Sequence, residues 1–211
     1  MSAFAPFEDF AAVLLPHAFS GTDGAHDVAH IARVWKNARH IQKIEGGDDE
    51  VLFAATMLHD CIAIEKNDPQ ARQASRMAAD KAAAILAALG WDEKRLAAVR
   101  HAIEAHSFSA NLTPQTLEAR ILQDADRLDS LGMLGVARTF YISGRMGTAL
   151  YHPDEPVAVE RQLDDKRYAI DHFHTKLLKL ADGFQTITGA ELAKMRHARL
   201  LRFLDEFLEE V

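Results

Sequence analysis

Apolar residues recur along this chain at three- and four-residue intervals almost throughout, and the alternation of a half-buried strand is nearly absent. That periodicity predicts an all-α fold, and local start and stop signals divide it into helices. Asp23 precedes a periodic segment reaching about Glu45, and "GGDDE" separates it from a helix expected to carry His59 and Asp60. Asp68 and Pro69 offer a cap and a first helical residue for a helix that stops at Gly90. Asp92 caps the next, which runs to about His106. A further helix starts with Thr113 and Pro114 and ends near Gly132. "YHPDEPV" (Tyr151 to Val157) is the clearest linker, and "TGAE" (Thr188 to Glu191) reads as a capping box for the last helix. Roughly 55 residues beyond the linker would make a poor independent core. The expectation is therefore one domain over residues 1–211. Its core helices lie in about 23–145, and helices in 157–210 complete the same bundle.

Composition supports a globular chain. At 211 residues and 48% hydrophobic it can bury a substantial core, and six Pro and 11 Gly are too few for a disordered or fibrous protein. One cysteine, Cys61, excludes an intramolecular disulfide and fits a reducing compartment. The apolar run at the N-terminus is broken by Glu8, Asp9 and Pro16 and lacks a basic leader, so a cytoplasmic protein without a membrane span is expected. A formal net charge of −7 argues against nucleic acid as the main partner but leaves room for a small anionic ligand.

The segment from Val51 to Ile64 is apolar on every side except at His59 and Asp60. Buried ionisable groups cost several kcal/mol unless each finds a charge, a hydrogen bond or a metal. On a helix their side chains would diverge by about 100° yet could still reach one ion; a hydrogen-bonded His–Asp pair is the plain alternative. His26, His30, Arg33 and Asn37 form a narrow stripe opposite Ile31, Val34, Ala38 and Ile41, an unusual composition for a solvated face. His101 and His106 are five apart, about 140° around a helix, so they do not form an i, i+4 ligand pair. In "LQDADRLDSLG", helical angle does not choose among Asp124, Asp126 and Asp129.

A histidine on one helix, an adjacent His-Asp on a second and an aspartate on a later one resemble the HD-domain superfamily of metal-dependent phosphohydrolases. "AHDVAHIARVW", "LHD", "KNDPQ", "HAIEAHSFSA", "QDADRLDSLG", "LDDKRYAIDHF" and "KLLKL" together look like its small bacterial members of the YedJ type, over nearly the whole chain. The resemblance implies an all-α, single-domain helical bundle of the HD type. It assigns the metal ligands to His30, His59, Asp60 and Asp126, the last from its place in "ADRL". Asp124 and Asp129 then become supporting or surface residues.

The same resemblance implies one divalent ion (Mn, Fe, Ni, Co, Zn or Mg), with coordination positions left for water and a phosphate oxygen. A second metal is possible, because binuclear members carry extra histidines where His101 and His106 stand. Asp60, His101 and His106 are the candidate catalytic groups, and Lys66 and Arg33 the candidate phosphate binders. Some HD enzymes carry an acidic pair after the His-Asp aspartate; here those positions hold Ile64 and Glu65, so that pattern is half present. The expected activity is hydrolysis of a phosphoester or phosphoanhydride bond in a small phosphorylated substrate, a nucleotide, by pyrophosphate release or monophosphate hydrolysis. The alternatives are a non-catalytic nucleotide-binding or signalling module, a dinuclear-iron oxygenase, and a purely structural bundle. Oligomeric state is not legible.

Overall fold

The computed structural model describes residues 2–19, 27–62, 64, 73–107 and 110–211. Among them are nine α-helices and no strand: α1 Glu8–Leu14, α2 Val28–Glu45, α3 Asp49–Leu58, α4 Ala74–Ala88, α5 Glu93–His106, α6 Leu117–Leu128, α7 Gly132–Met146, α8 Ala169–Thr175 and α9 Ile187–Glu209. The all-α class follows from the apolar periodicity. No described helix is long and apolar enough to cross a membrane.

Several helices begin where a short polar side chain can accept the orphan amides of a first turn. Asp27, Asp48 and Asp92 accept the N–H of His30, Val51 and Arg95 at 2.9, 3.0 and 3.1 Å. Asp27 is thus the residue that caps α2; Asp23, Asp68 and Pro69 lie outside the described residues. The last helix starts two residues before the expected box. Thr186 accepts the Gly189 N–H at 3.0 Å, while Thr188 is a buried residue inside α9. Both threonines satisfy the capping preference, and only the packed backbone decides between them. In the same way, Thr116 rather than Thr113 receives an amide, that of Ala119, at the start of α6.

Residues 1–126 form one compact unit and residues 127–211 another. In the first, α3 is the central element, with Val51 through Leu58 all buried and with α1, α2, α4 and α5 packed against it. Phe53 has no exposed surface and touches the rings of Phe7 and Trp35 at centroid distances of 4.8 Å, with Phe10 at 5.8 Å and Phe4 at 6.4 Å. Trp35 is a core residue whose indole N–H donates to the Ala5 carbonyl. Tyr141 is half exposed.

In the second unit α7 packs on α8 and α9. Phe140, Phe173, Phe203 and Phe207 join with ring centroids 5.5 to 6.1 Å apart, and Leu177 and Leu200 are buried as well. At the turn into α7, a Cβ on Gly135 would lie 2.3 Å from the Ser130 carbonyl oxygen, so only glycine fits there.

The loop before α8 is built on one buried carboxylate. Asp171 accepts two bonds from the Arg161 guanidinium at 2.6 and 2.7 Å and one from the Asp164 N–H at 2.6 Å. Burial opposes its charge, but the Arg161 bonds outweigh burial and hold the carboxyl below its ordinary value. A depressed carboxyl stabilises the fold above the unfolded value, and that contribution disappears as pH falls through the folded one. Asp171→Asn is expected to cost about 3 kcal/mol at pH 7. In urea unfolding the gap from the parent should narrow below about pH 4; a gap unchanged at acid pH would contradict this account.

Candidate metal centre

Four of the relevant side chains stand at or just beyond the C-terminal ends of three helices. His59 follows the last residue of α3, at φ −59° and ψ −35°, and Asp60 lies beyond it in a turn closed by the Cys61 N–H bonding the Leu58 carbonyl. The sequence reading had both inside a helix. Ending α3 at Leu58 removes the 100° divergence of helical neighbours and brings Asp60 Oδ2 to 3.4 Å from His59 Nε2. His106 is the final residue of α5, and Asp126 stands in the last turn of α6. His30, in the first turn of α2, is 1% exposed.

The donor atoms meet at one place. His30 Nε2 lies 3.4 Å from His59 Nε2, 3.6 Å from Asp60 Oδ2 and 3.5 Å from Asp126 Oδ1. His59 Nε2 is also 3.8 Å from Asp126 Oδ1. Ligands about 2.1 Å from a shared ion, arranged tetrahedrally, sit about 3.4 Å from one another. The donor atoms of His30, His59 and Asp60 all lie within 4.8 Å of one another, and Asp126 approaches that group through the two histidines.

The histidine tautomers suit the same purpose. His59 Nδ1–H donates to the Thr56 carbonyl at 2.8 Å, which leaves the neutral ring's lone pair on Nε2, facing the cluster. Two imidazole nitrogens at 3.4 Å need a cation or a shared proton between them. Burial alone would push His59 down, but the Asp60 carboxylate and then Asp126 outweigh it and raise the ring to about 9. Burial likewise opposes the Asp60 charge, yet His59, His106 and His30 hold that carboxyl well below its usual range. The negative ends of three helix dipoles, at α3, α5 and α6, add to the attraction for a cation. The donor set fits a divalent metal.

His106 joins the cluster from its edge, with Nε2 at 3.7 Å from Asp60 Oδ1 and Nδ1–H donating to the Ile103 carbonyl at 2.6 Å. His101 is occupied elsewhere: its Nε2 accepts the Gln115 N–H at 2.9 Å. Arg33 lies one turn beyond His30 and is half-buried. Lys66 lies outside the described residues, as do His26, Glu65, Arg72 and Phe108. Arg76 is exposed. Asp124 and Asp129 are both fully buried, which excludes the surface alternative and leaves the supporting one, and Asp129 is paired with Arg138 at 2.6 Å. Asp126, with its side chain 31% exposed, is the most open of the three aspartates.

A helical chain that brings a His, a His-Asp dipeptide and a later Asp to one point has the architecture of the HD metal-dependent hydrolases. The HD domain family matches residues 27–131, and the chain belongs to the HD-domain superfamily. Its relatives include YpgQ of Bacillus subtilis (strain 168), described as uncharacterised, at 30% identity over 190 residues, spanning 88% of this chain and 84% of that one. A crystal structure of an HD-superfamily hydrolase from Bacillus thuringiensis is 30% identical, covers 99% of this chain and 98% of its own, and superimposes with a TM-score of 0.73. A crystal structure of Bacillus subtilis YpgQ in complex with ADP is 28% identical, covers 97% of both chains and has a TM-score of 0.71.

Two buried carboxamides escaped the sequence reading. Asn37 had been noticed only as part of a polar stripe, and Gln123 not at all. The available signal for Asn37 was an uncharged amide with Val34 and Ile41 as helical neighbours; Gln123, whose neighbours three and four residues away are Ala119, Arg120, Asp126 and Arg127, carried no such signal.

Proposed function

We propose that this chain hydrolyses a phosphoester or phosphoanhydride bond of a nucleotide with one divalent metal ion held by His30, His59, Asp60 and Asp126. The observation that carries the reading is the approach of donors from α2, the end of α3 and α6: the two imidazole nitrogens lie 3.4 Å apart, and each is within 3.4 to 3.8 Å of an oxygen of both Asp60 and Asp126. Two imidazoles and two carboxylates suit Mn, Fe, Co, Ni or Zn better than an all-oxygen Mg site. A divalent ion there supplies Lewis acidity and offsets the charge developing on a phosphoryl group.

The protein's own groups handle the proton and the substrate. His106, fixed through Nδ1, presents Nε2 beside Asp60 Oδ1, where it can take up and return a proton during water attack. Arg33 supplies a guanidinium one turn from His30, and Lys66 is the second proposed phosphate-binding cation. His101 is not part of this proposal, because its ring nitrogen is engaged with Gln115. Nucleotide as substrate is supported by the ADP in the related YpgQ structure. We also propose that the two compact units act as one domain, supported by relatives that match the chain from end to end.

A second reading has one observation in its favour. The lone pair on His106 Nε2 faces Asp60 Oδ1, the oxygen opposite the Oδ2 that faces His30 and His59, an arrangement that a second cation would relieve. Elemental analysis of chelator-free protein separates the cases, with one equivalent of metal expected per chain. Two equivalents would replace the one-ion reading. Screening nucleoside di- and triphosphates with Mn or Co, reading phosphate and pyrophosphate separately, should then show turnover. Nucleotide binding without turnover would mean a signalling module, and absence of metal after supplementation would overturn the hydrolase.

A further inference from the structure

The last four carbonyls of an α-helix have no partner within the helix, and a helix end buried in a core must find donors for them elsewhere. Two such carbonyls stand immediately before functional residues here. The Ala125 carbonyl, preceding Asp126, accepts the side-chain N–H of Asn37 at 3.0 Å. The Ala105 carbonyl, preceding His106, accepts the side-chain N–H of Gln123 at 2.7 Å. Both carboxamides are 6% exposed.

The bonds form a chain. Asn37 sits on α2, two turns beyond His30, and grips α6; Gln123 sits on α6, three residues before Asp126, and grips α5. The helices that deliver His30, Asp126 and His106 are thereby tied to one another within one or two turns of those residues. The two amides donate to backbone carbonyls, of Ala125 and of Ala105.

We infer that Asn37 and Gln123 are positioning residues that set the spacing of the donor atoms, and through it metal affinity. The inference rests on the metal-site reading above. Partners that orient ligands typically contribute 10- to 100-fold in metal affinity. Leucine at 37 and methionine at 123 keep approximate volume but donate no hydrogen bond. With the donor gone, the Ala125 carbonyl loses its tie to α2, and Asp126 Oδ1 is free to drift from its 3.5 Å separation from His30 Nε2.

The test is a Co2+ titration of metal-free full-length protein, followed by visible ligand-field absorption and calorimetry. Asn37→Leu and Gln123→Met should each weaken Co2+ binding about tenfold and change the band intensities. Asn37→Gln and Gln123→Asn, which keep the donor but shift it by one methylene, should recover part of the affinity; they also serve if the apolar variants do not fold. Thr139→Val is the control, losing a buried bond to the Gly135 carbonyl in the other compact unit, and should leave Co2+ binding unchanged. Unchanged affinity and spectra in both position-37 and position-123 variants would reduce the amides to structural roles and overturn the inference. A parent that takes up no Co2+ would instead remove the metal-site reading on which it stands.

Discussion

Asp126→Ala is expected to lose stoichiometric metal and to lower the rate of nucleotide hydrolysis by about three orders of magnitude, ~4 kcal/mol on the barrier. The size follows from what is deleted, a whole donor from a set of four. The interpretation is clean because Asp126 is the most exposed residue of the cluster apart from Asp60, so truncation opens no closed cavity. Its effect on folding should stay near the small values typical of partly exposed positions, within about 0.5 kcal/mol. His59→Ala would be harder to read. It empties a fully buried site and strips the Thr56 carbonyl of its donor, so lost metal and lost packing would arrive together. Elemental analysis of Asp126→Ala, with circular dichroism and a phosphate-release assay, separates the two. A variant that keeps metal and full activity would sink the ligand assignment.

The second large effect is on stability. Phe53→Ala is expected to cost about 3–5 kcal/mol, because a fully buried aromatic leaves both its transfer free energy and a cavity behind. The surrounding rings of Phe7 and Trp35 are themselves held by other contacts and cannot close over the gap. Phe10 touches the same cluster from a half-buried position, and Phe10→Ala should cost clearly less. Urea unfolding of both variants gives the comparison. Equal losses would show that Phe53 is not the centre of that core. Since His59 directly follows α3, metal affinity in a surviving Phe53→Ala protein should fall as well.

What the sequence makes legible follows physical lines. Helical class was legible because apolar spacing is a property of each segment alone. So was the exceptional character of His59 and Asp60, since ionisable groups stand out in an otherwise apolar run. The resemblance to HD proteins supplied His30 and Asp126, which spacing by itself left among several candidates. What stayed hidden depended on contacts between segments. Periodicity continued α3 past Leu58, because His59 still has helical dihedrals and only the Cys61 turn shows the departure. Asp124, Asp126 and Asp129 differ in burial and partners, not in residue type. Arg138, which neutralises Asp129, lies nine residues away in another helix. His101 and His106 looked alike from their spacing, and a backbone amide at Gln115 distinguishes them.

The arrival of donors from separated parts of the chain also has a thermodynamic meaning. His30 and His59 are 29 residues apart, and Asp126 comes later still, so an unfolded chain offers an ion no comparable site. Metal bound only by the folded state stabilises it according to concentration, by about 2.7 kcal/mol at one hundred times the dissociation constant. The cell's free-metal level then acts on how much folded protein persists, and chelation becomes a way to shorten its lifetime.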